Sequence, residues 1–233
     1  MRTDHQTISI FAPEAFQLAL QQLAEQFRNA TGITATLTLN PVAGPSADTL
    51  VNRLRAGQQP DVALLPTAAL DMAPDIWSTR ATAFRSPIAI AVPGSSARPD
   101  ISSPERLRDV LLGVGSIAHS AAGSGAYVSG PLLNALGIRE QTAHKLRLIE
   151  GRSVGQALAE GEAEIGFQQL AELLGVPGIA VLGPLPAELQ KTTEIIALAR
   201  ETGEHWVRYL QTAEAASCMV KGGVEPPLET PPA

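Results

Sequence analysis

Cysteine occurs once in the 233 residues, at Cys218, so no disulfide can form within the chain. The four histidines, His5, His119, His144 and His205, stand far apart and show no metal-ligand spacing, which excludes a structural metal built from Cys and His. Apolar runs are short. Pro87 to Val92 and Ile179 to Leu182 each stop after a few residues, well below the length of a membrane-spanning helix. Basic residues are outnumbered, 17 Lys and Arg against 23 Asp and Glu, and they are scattered, so the clustered cations that neutralise DNA or RNA phosphates are missing. No Gly-rich phosphate loop and no Ser-His-Asp order stands out, and no cofactor is expected. Cys218 lies in a helical stretch beside Met219 and Val220 and reads as a packing thiol without chemistry.

The start is also sparse in apolar residues. Met1 to Thr7 carries one Arg, one Asp and one His and lacks the apolar stretch and cleavage site of a secretory leader. As written, the chain is expected in the cytoplasm. It is expected in the periplasm, with a transporter permease as partner, if a signal peptide has been removed.

What is present is an alternation of strand and helix patterns. "ISIFAP" from Ile8 reads as a strand, and Gln17 to Arg28 places Leu18, Leu20, Leu23, Ala24 and Phe27 on one helical face that Thr31-Gly32 ends. "ITATLTL" is a second strand. A helix follows, capped by Ser46 or Asp48 and stopped by Gly57, and then "PDVALLP" as a buried third strand. Beyond a short helix and an irregular link, "SPIAIAV" is a further apolar strand, and Ser103 caps the next helix with Glu105 in its first turn. "VGSIAHS" is a strand, "GSGAYVSGPLLNALGI" a Gly-rich turn and helix, and "HKLRLIEG" an extended piece. "EIGFQQ" and "GIAVLGPLP" are strands on either side of helical residues, and Glu204 to Val220 is the last helix. The tail "EPPLETPPA" is expected to fray. Alternating strands and helices imply an α/β fold with mostly parallel sheets flanked by helices, and about nine strands favour two lobes over one sheet.

Three stretches, "ISIFAPEAFQLALQQLAEQFRNATGI", "TLVNRLRAGQQPDVALL" and "GSGAYVSGPLLNALGI", together resemble the periplasmic molybdate-binding proteins within the type 2 solute-binding-protein superfamily. The segments "RSPIAIAV", "SGAY" and "GEAEIGFQQLAELL" are similar to a branch that also resembles the bacterial aconitate isomerases. The resemblance implies a two-lobed periplasmic-binding-protein-like fold with the ligand in a cleft between lobes. Two chain crossings are expected, with residues 1–84 and 183–233 building lobe 1 and residues 85–182 building lobe 2.

It also implies where a ligand would be held. Helix N-termini attract anions without an excess of basic side chains, and two are visible, after "PEAF" and at "GSGAY", with a third near Ser46. Ser124 and Gly125 are candidate anion contacts, because glycine permits close backbone approach and the hydroxyl donates. Arg85, before the crossing strand, has a fork suited to a carboxylate. Gln168 and Gln169 end a strand, where alternation lets one of them face the ligand. The molybdate pattern is incomplete: Ala15 stands where a gripping Ser is implied, Gln169 where a Tyr is implied, and Glu14 adds a like charge. Molybdate binding is therefore disfavoured. Glu14 and His119 are the candidate general bases if the protein moves a proton between carbons of a bound acid. Three readings follow: a module that binds a small organic anion, an isomerase of an aconitate-like tricarboxylate, and a cytosolic ligand sensor.

Overall fold

The computed structural model describes residues 6–121 and 123–228. His5, most of Met1 to Thr7 and the end of the proline-rich tail lie outside the described residues. The elements in chain order are β1 (Thr7–Pro13), α1 (Gln17–Thr31), β2 (Thr34–Asn40), α2 (Leu50–Arg55), β3 (Val62–Pro66), β4 (Thr79–Pro93), α3 (Pro104–Gly113), β5 (Ile117–Ser120) and α4 (Gly123–Tyr127). A π-helical turn, Val128–Leu132, joins α4 to α5 (Leu133–Ala135). Then come α6 (Arg139–Thr142), β6 (Leu146–Ile149), α7 (Val154–Ala159), β7 (Ile165–Gln169), α8 (Leu170–Leu173), β8 (Ile179–Pro184), β9 (Thr192–Ala199), α9 (Glu204–Leu210) and α10 (Ala213–Lys221). The fold is mixed α/β.

The chain divides into two compact units, Met1–Ser86 with Thr193–Ala233, and Pro87–Thr192. In unit 1, β1 pairs in parallel with β2 and β3, and β3 pairs antiparallel with β9. Its core includes Ile10, Leu20, Leu23, Phe27 and Trp206, all fully buried. Phe27 meets Trp206 edge-on, with ring centroids 5.1 Å apart, so the C-terminal end of the apolar face read on α1 packs against α9. Tyr209 completes this aromatic group; its hydroxyl is buried without a hydrogen-bond partner, and burial first, then the nearby Glu214 and Cys218, push its pKa up to about 12. Cys218 is buried as expected, and burial raises its pKa, so the thiolate that reactive cysteines need is disfavoured.

In unit 2, β5 pairs in parallel with β6 and β7, whereas the second part of β4 pairs antiparallel with β7 and β8. One core, with Ile90, Ile117, Val128, Leu132, Ile165 and Phe167, lies on the face covered by the helix from Gly123 to Ala135. The other, with Ala89, Ala91, Ala118, Val154 and Leu158, lies beneath α7. Lys145 donates to the carbonyls of Leu111 (3.4 Å) and Leu112 (2.6 Å), which ties the free C-terminal end of α3 to the chain before β6.

Four local readings are corrected. Thr49 caps α2, its hydroxyl accepting from Asn52 N at 3.3 Å, because Ser46 and Asp48 lie in the preceding loop. Strand β4 begins at Thr79, so the end of the irregular link is already extended. The last helix is two, α9 and α10, because Thr212 breaks the first and caps the second through Ala215 N. Strand β9 is additional; its buried run has no period-two alternation, since both faces are covered.

Candidate functional site

Parallel pairing brings the C-terminal ends of β5, β6 and β7 to one edge of the unit 2 sheet, and α4, α7 and α8 start just beyond them. Such an edge is where open α/β sheets gather helix N-termini and their free N–H groups. The start of α7 is internally occupied. Ser153 Oγ accepts from Gln156 N at 3.0 Å, and Gln156 Oε1 accepts from Ser153 N at 3.2 Å. Gln168 Oε1 takes the Gly155 N–H at 3.3 Å while its Nε2 donates to Glu172 Oε1 at 2.7 Å. Gln168 is thus a buried tie between β7, α7 and α8.

The start of α4 is different. From Gly123 the chain is helical without interruption to Ala135, and the widened turn around Pro131 accommodates a residue that has no N–H to donate. Ser124 is buried, 8% exposed, and among the described residues its hydroxyl has no protein partner. Gly125 lies directly on Ser120: a Cβ there would stand 1.8 Å from Ser120 O and 2.6 Å from Ser120 N. The same carbonyl lies 3.1 Å from His119 Nδ1. A carbonyl only accepts, so Nδ1 carries the proton, and Nε2 of the neutral ring is left as an acceptor. His119, at 8% exposure, shares its strand face with Ile117, the face that Val128 and Leu132 cover. The fully buried polar atoms without partners among the described residues are Trp77 Nε1, Trp206 Nε1 and Tyr209 OH; Ser124 Oγ and His119 Nε2 are not among them and keep access to solvent. Ser120, which the sequence did not single out, is therefore the hub that brings His119 and Gly125 together. Its only signal was its place between them.

Farther along the helix, Tyr127 OH donates to Leu189 O at 2.7 Å, and Lys191 Nζ lies 5.4 Å from the Tyr127 ring centre. Burial raises the Tyr127 pKa, which keeps this donor protonated. Gln169 is buried where β7 turns into α8, and it is engaged with neighbouring groups.

The unit 1 candidates stand in three places. Glu14 is exposed and Ala15 half-buried in the turn Glu14–Phe16 that leads into α1, and Phe16 packs edge-on against Phe84 at 5.1 Å. Ser46 is exposed, with its hydroxyl accepting from Asp48 N at 3.1 Å. Arg85 Nη2 pairs with Glu225 Oε2 at 2.7 Å, and a two-way backbone bridge joins the same residues, Arg85 N to Glu225 O at 2.8 Å and Glu225 N to Arg85 O at 2.7 Å. Alternation places Arg85 on the face of β4 opposite Phe84 and the Phe16 turn. Glu225 lies too far along the chain for sequence spacing to have paired it with Arg85.

Among the described residues no group of three or more His, Cys, Asp or Glu is placed to hold a metal, and no helix is long and apolar enough to cross a membrane. The chain is 30% identical to an aconitate isomerase from a Pseudomonas species, covering 94% of this chain and 88% of that one. In fold it is similar to PEB3 of Campylobacter jejuni bound to L-phospholactate, with a TM-score of 0.69 at 15% identity over 94% of this chain and 99% of that one. It is likewise similar to the periplasmic molybdate-binding protein of Azotobacter vinelandii, with a TM-score of 0.63 at 19% identity over 95% of this chain and all, 100%, of that one. These likenesses agree with the periplasmic-binding-protein-like fold expected from the sequence. Residues 8–225 match the family of bacterial extracellular solute-binding proteins, and the chain belongs to that family.

Proposed function

We propose that the protein binds a small organic anion at the N-terminus of the helix Gly123–Ala135. The observation that carries this reading is the Ser124 hydroxyl, on a buried residue and without a partner among the described residues, at the start of a helix whose Gly125 lies flat on the strand end. The first-turn N–H groups and the helix dipole supply the positive potential, and the hydroxyl adds a donor. Two proteins of similar fold support an anion, since one is bound to phospholactate and the other is a molybdate-binding protein. The family's extracellular setting supports a periplasmic form that passes its ligand to a permease.

Calorimetry with citrate, malate and phospholactate tests the reading. Ser124→Ala is expected to weaken the best of these by about 10- to 100-fold, the worth of one hydrogen bond to a charged group, while the melting temperature stays near wild type. Wild-type protein that binds none of them, or unchanged affinity in the variant, would refute it.

A second reading has its own support in the aconitate isomerase relative. Here His119 Nε2 takes a proton from one carbon of a bound aconitate-like acid, the electron pair moves into the allyl system as the double bond shifts, and the proton returns at the far carbon. Glu14, exposed in its turn, is the alternative base. In heavy water, cis- or trans-aconitate is expected to interconvert with deuterium entering the product, and His119→Gln to lower the rate at least about 100-fold with smaller effect on binding. Binding without interconversion over a long incubation leaves the binding module as the function.

A further inference from the structure

We propose that His119 makes the site selective for acids that carry a hydroxyl group over acids of the same shape without one. The inference rests on the anion-binding reading and gives that site a ligand class. Its basis is a pair of buried groups with opposite hydrogen-bonding character at one strand end. The helix start and Ser124 offer donors, which suit carboxylate or phosphate oxygens. His119 offers the reverse. Its Nδ1 proton is committed to Ser120 O at 3.1 Å, so the neutral ring presents Nε2 as a lone pair, and a lone pair needs a hydrogen from the ligand.

The ring is held in that role from two sides. Ser120 O is pinned between it and Gly125, whose Cα has no room for a Cβ, and the ring is 8% exposed on the face it shares with Ile117. A ligand that buries Nε2 without bonding to it leaves a desolvated acceptor unpaired, which is the condition under which one missing hydroxyl is discriminated strongly. Fully deprotonated oxyanions such as sulfate and molybdate have no hydrogen to give and would also face the lone pair with negative oxygen. Selection against them thus has a source within unit 2.

The test uses matched pairs on wild-type protein by calorimetry at pH 8: citrate against propane-1,2,3-tricarboxylate, and malate against succinate. Each hydroxy acid is expected to bind at least about tenfold tighter than its partner, and sulfate more weakly than either. In His119→Phe the ratio within each pair is expected to fall to about one, since a ring of similar shape lacks the acceptor. Equal affinities within the pairs for wild type would overturn the inference while leaving the anion site standing, as would a preference that survives in the variant. Should His119→Phe fail to fold, the wild-type pairs decide alone. If no acid of either kind binds, both the inference and the anion reading fall.

Discussion

Gly125→Ala is expected to lower stability by more than about 3 kcal/mol, beyond the ordinary range for adding a methyl group to a packed interior. An alanine Cβ would stand 1.8 Å from Ser120 O and 2.6 Å from Ser120 C and N. All three are backbone atoms, and they belong to a strand end paired with β6, so they cannot yield as a flexible side chain would. The start of α4 must lift away from β5, which loosens the packing of Val128 and Leu132 and moves the carbonyl that orients His119. For a chain of this length the melting temperature should fall by roughly 6–12 °C, and anion binding should be lost with it. Gly130→Ala is the control. It lies in the same helix with nothing within 4 Å of the new Cβ, so it should be neutral or stabilising by up to about 1 kcal/mol. Equal melting of the two variants would show that the helix does not rest on Ser120.

How far the sequence carried depended on whether the physics was local. The alternation of strand and helix patterns, the end of α1 at Gly32 and the cap at Ser103 are decided within a few residues, and each is found where its pattern placed it. Gly125 was read as a place of close backbone approach to an anion, and the backbone it lies against is that of Ser120, a contact that no short pattern announces. Strand β9 was not legible, because both its faces are buried and its partner in β3 is far away in sequence, as in the pairing of Val62 with Ala199. The roles of Gln168 and Arg85 are of that second kind. Two amides in a row at a strand end give no sign that one is spent on the first turn of α7, and nothing near Arg85 in sequence announces Glu225. Polar residues that suit a ligand also suit the backbone of their own fold, and only the tertiary structure decides between the two uses.

Asp61 shows that competition settled in favour of the fold, and its removal is expected to cost about 2–4 kcal/mol. Its Oδ2 accepts from both Ser9 N and Ser9 Oγ at 2.8 Å, and its Oδ1 accepts from Thr202 Oγ1. Its own N–H donates to Ser9 Oγ at 3.0 Å, and its carbonyl accepts from Arg200 N at 2.9 Å. One carboxylate therefore joins β1, the residue before β3 and the turn after β9, three segments that sequence separates widely. Burial alone would raise its pKa, but hydrogen bonds from Thr202 and Ser9, with the charge of Arg200, outweigh it and hold the group below its ordinary value of 3.8. A folded-state pKa below the unfolded one means that the carboxylate contributes its full stability above the unfolded value and loses it as pH falls through the folded value. Asp61→Asn keeps the shape but puts an amide where two donors meet a carboxylate. Urea unfolding of wild type and variant at pH 7, 4 and 3 should therefore show a gap that is full at pH 7, already narrowing near pH 4 and smaller still at pH 3. Comparing the two proteins cancels the titration of every other carboxylate. A gap that stays constant or widens in acid would mean that Asp61 is held by its shape and not by its charge.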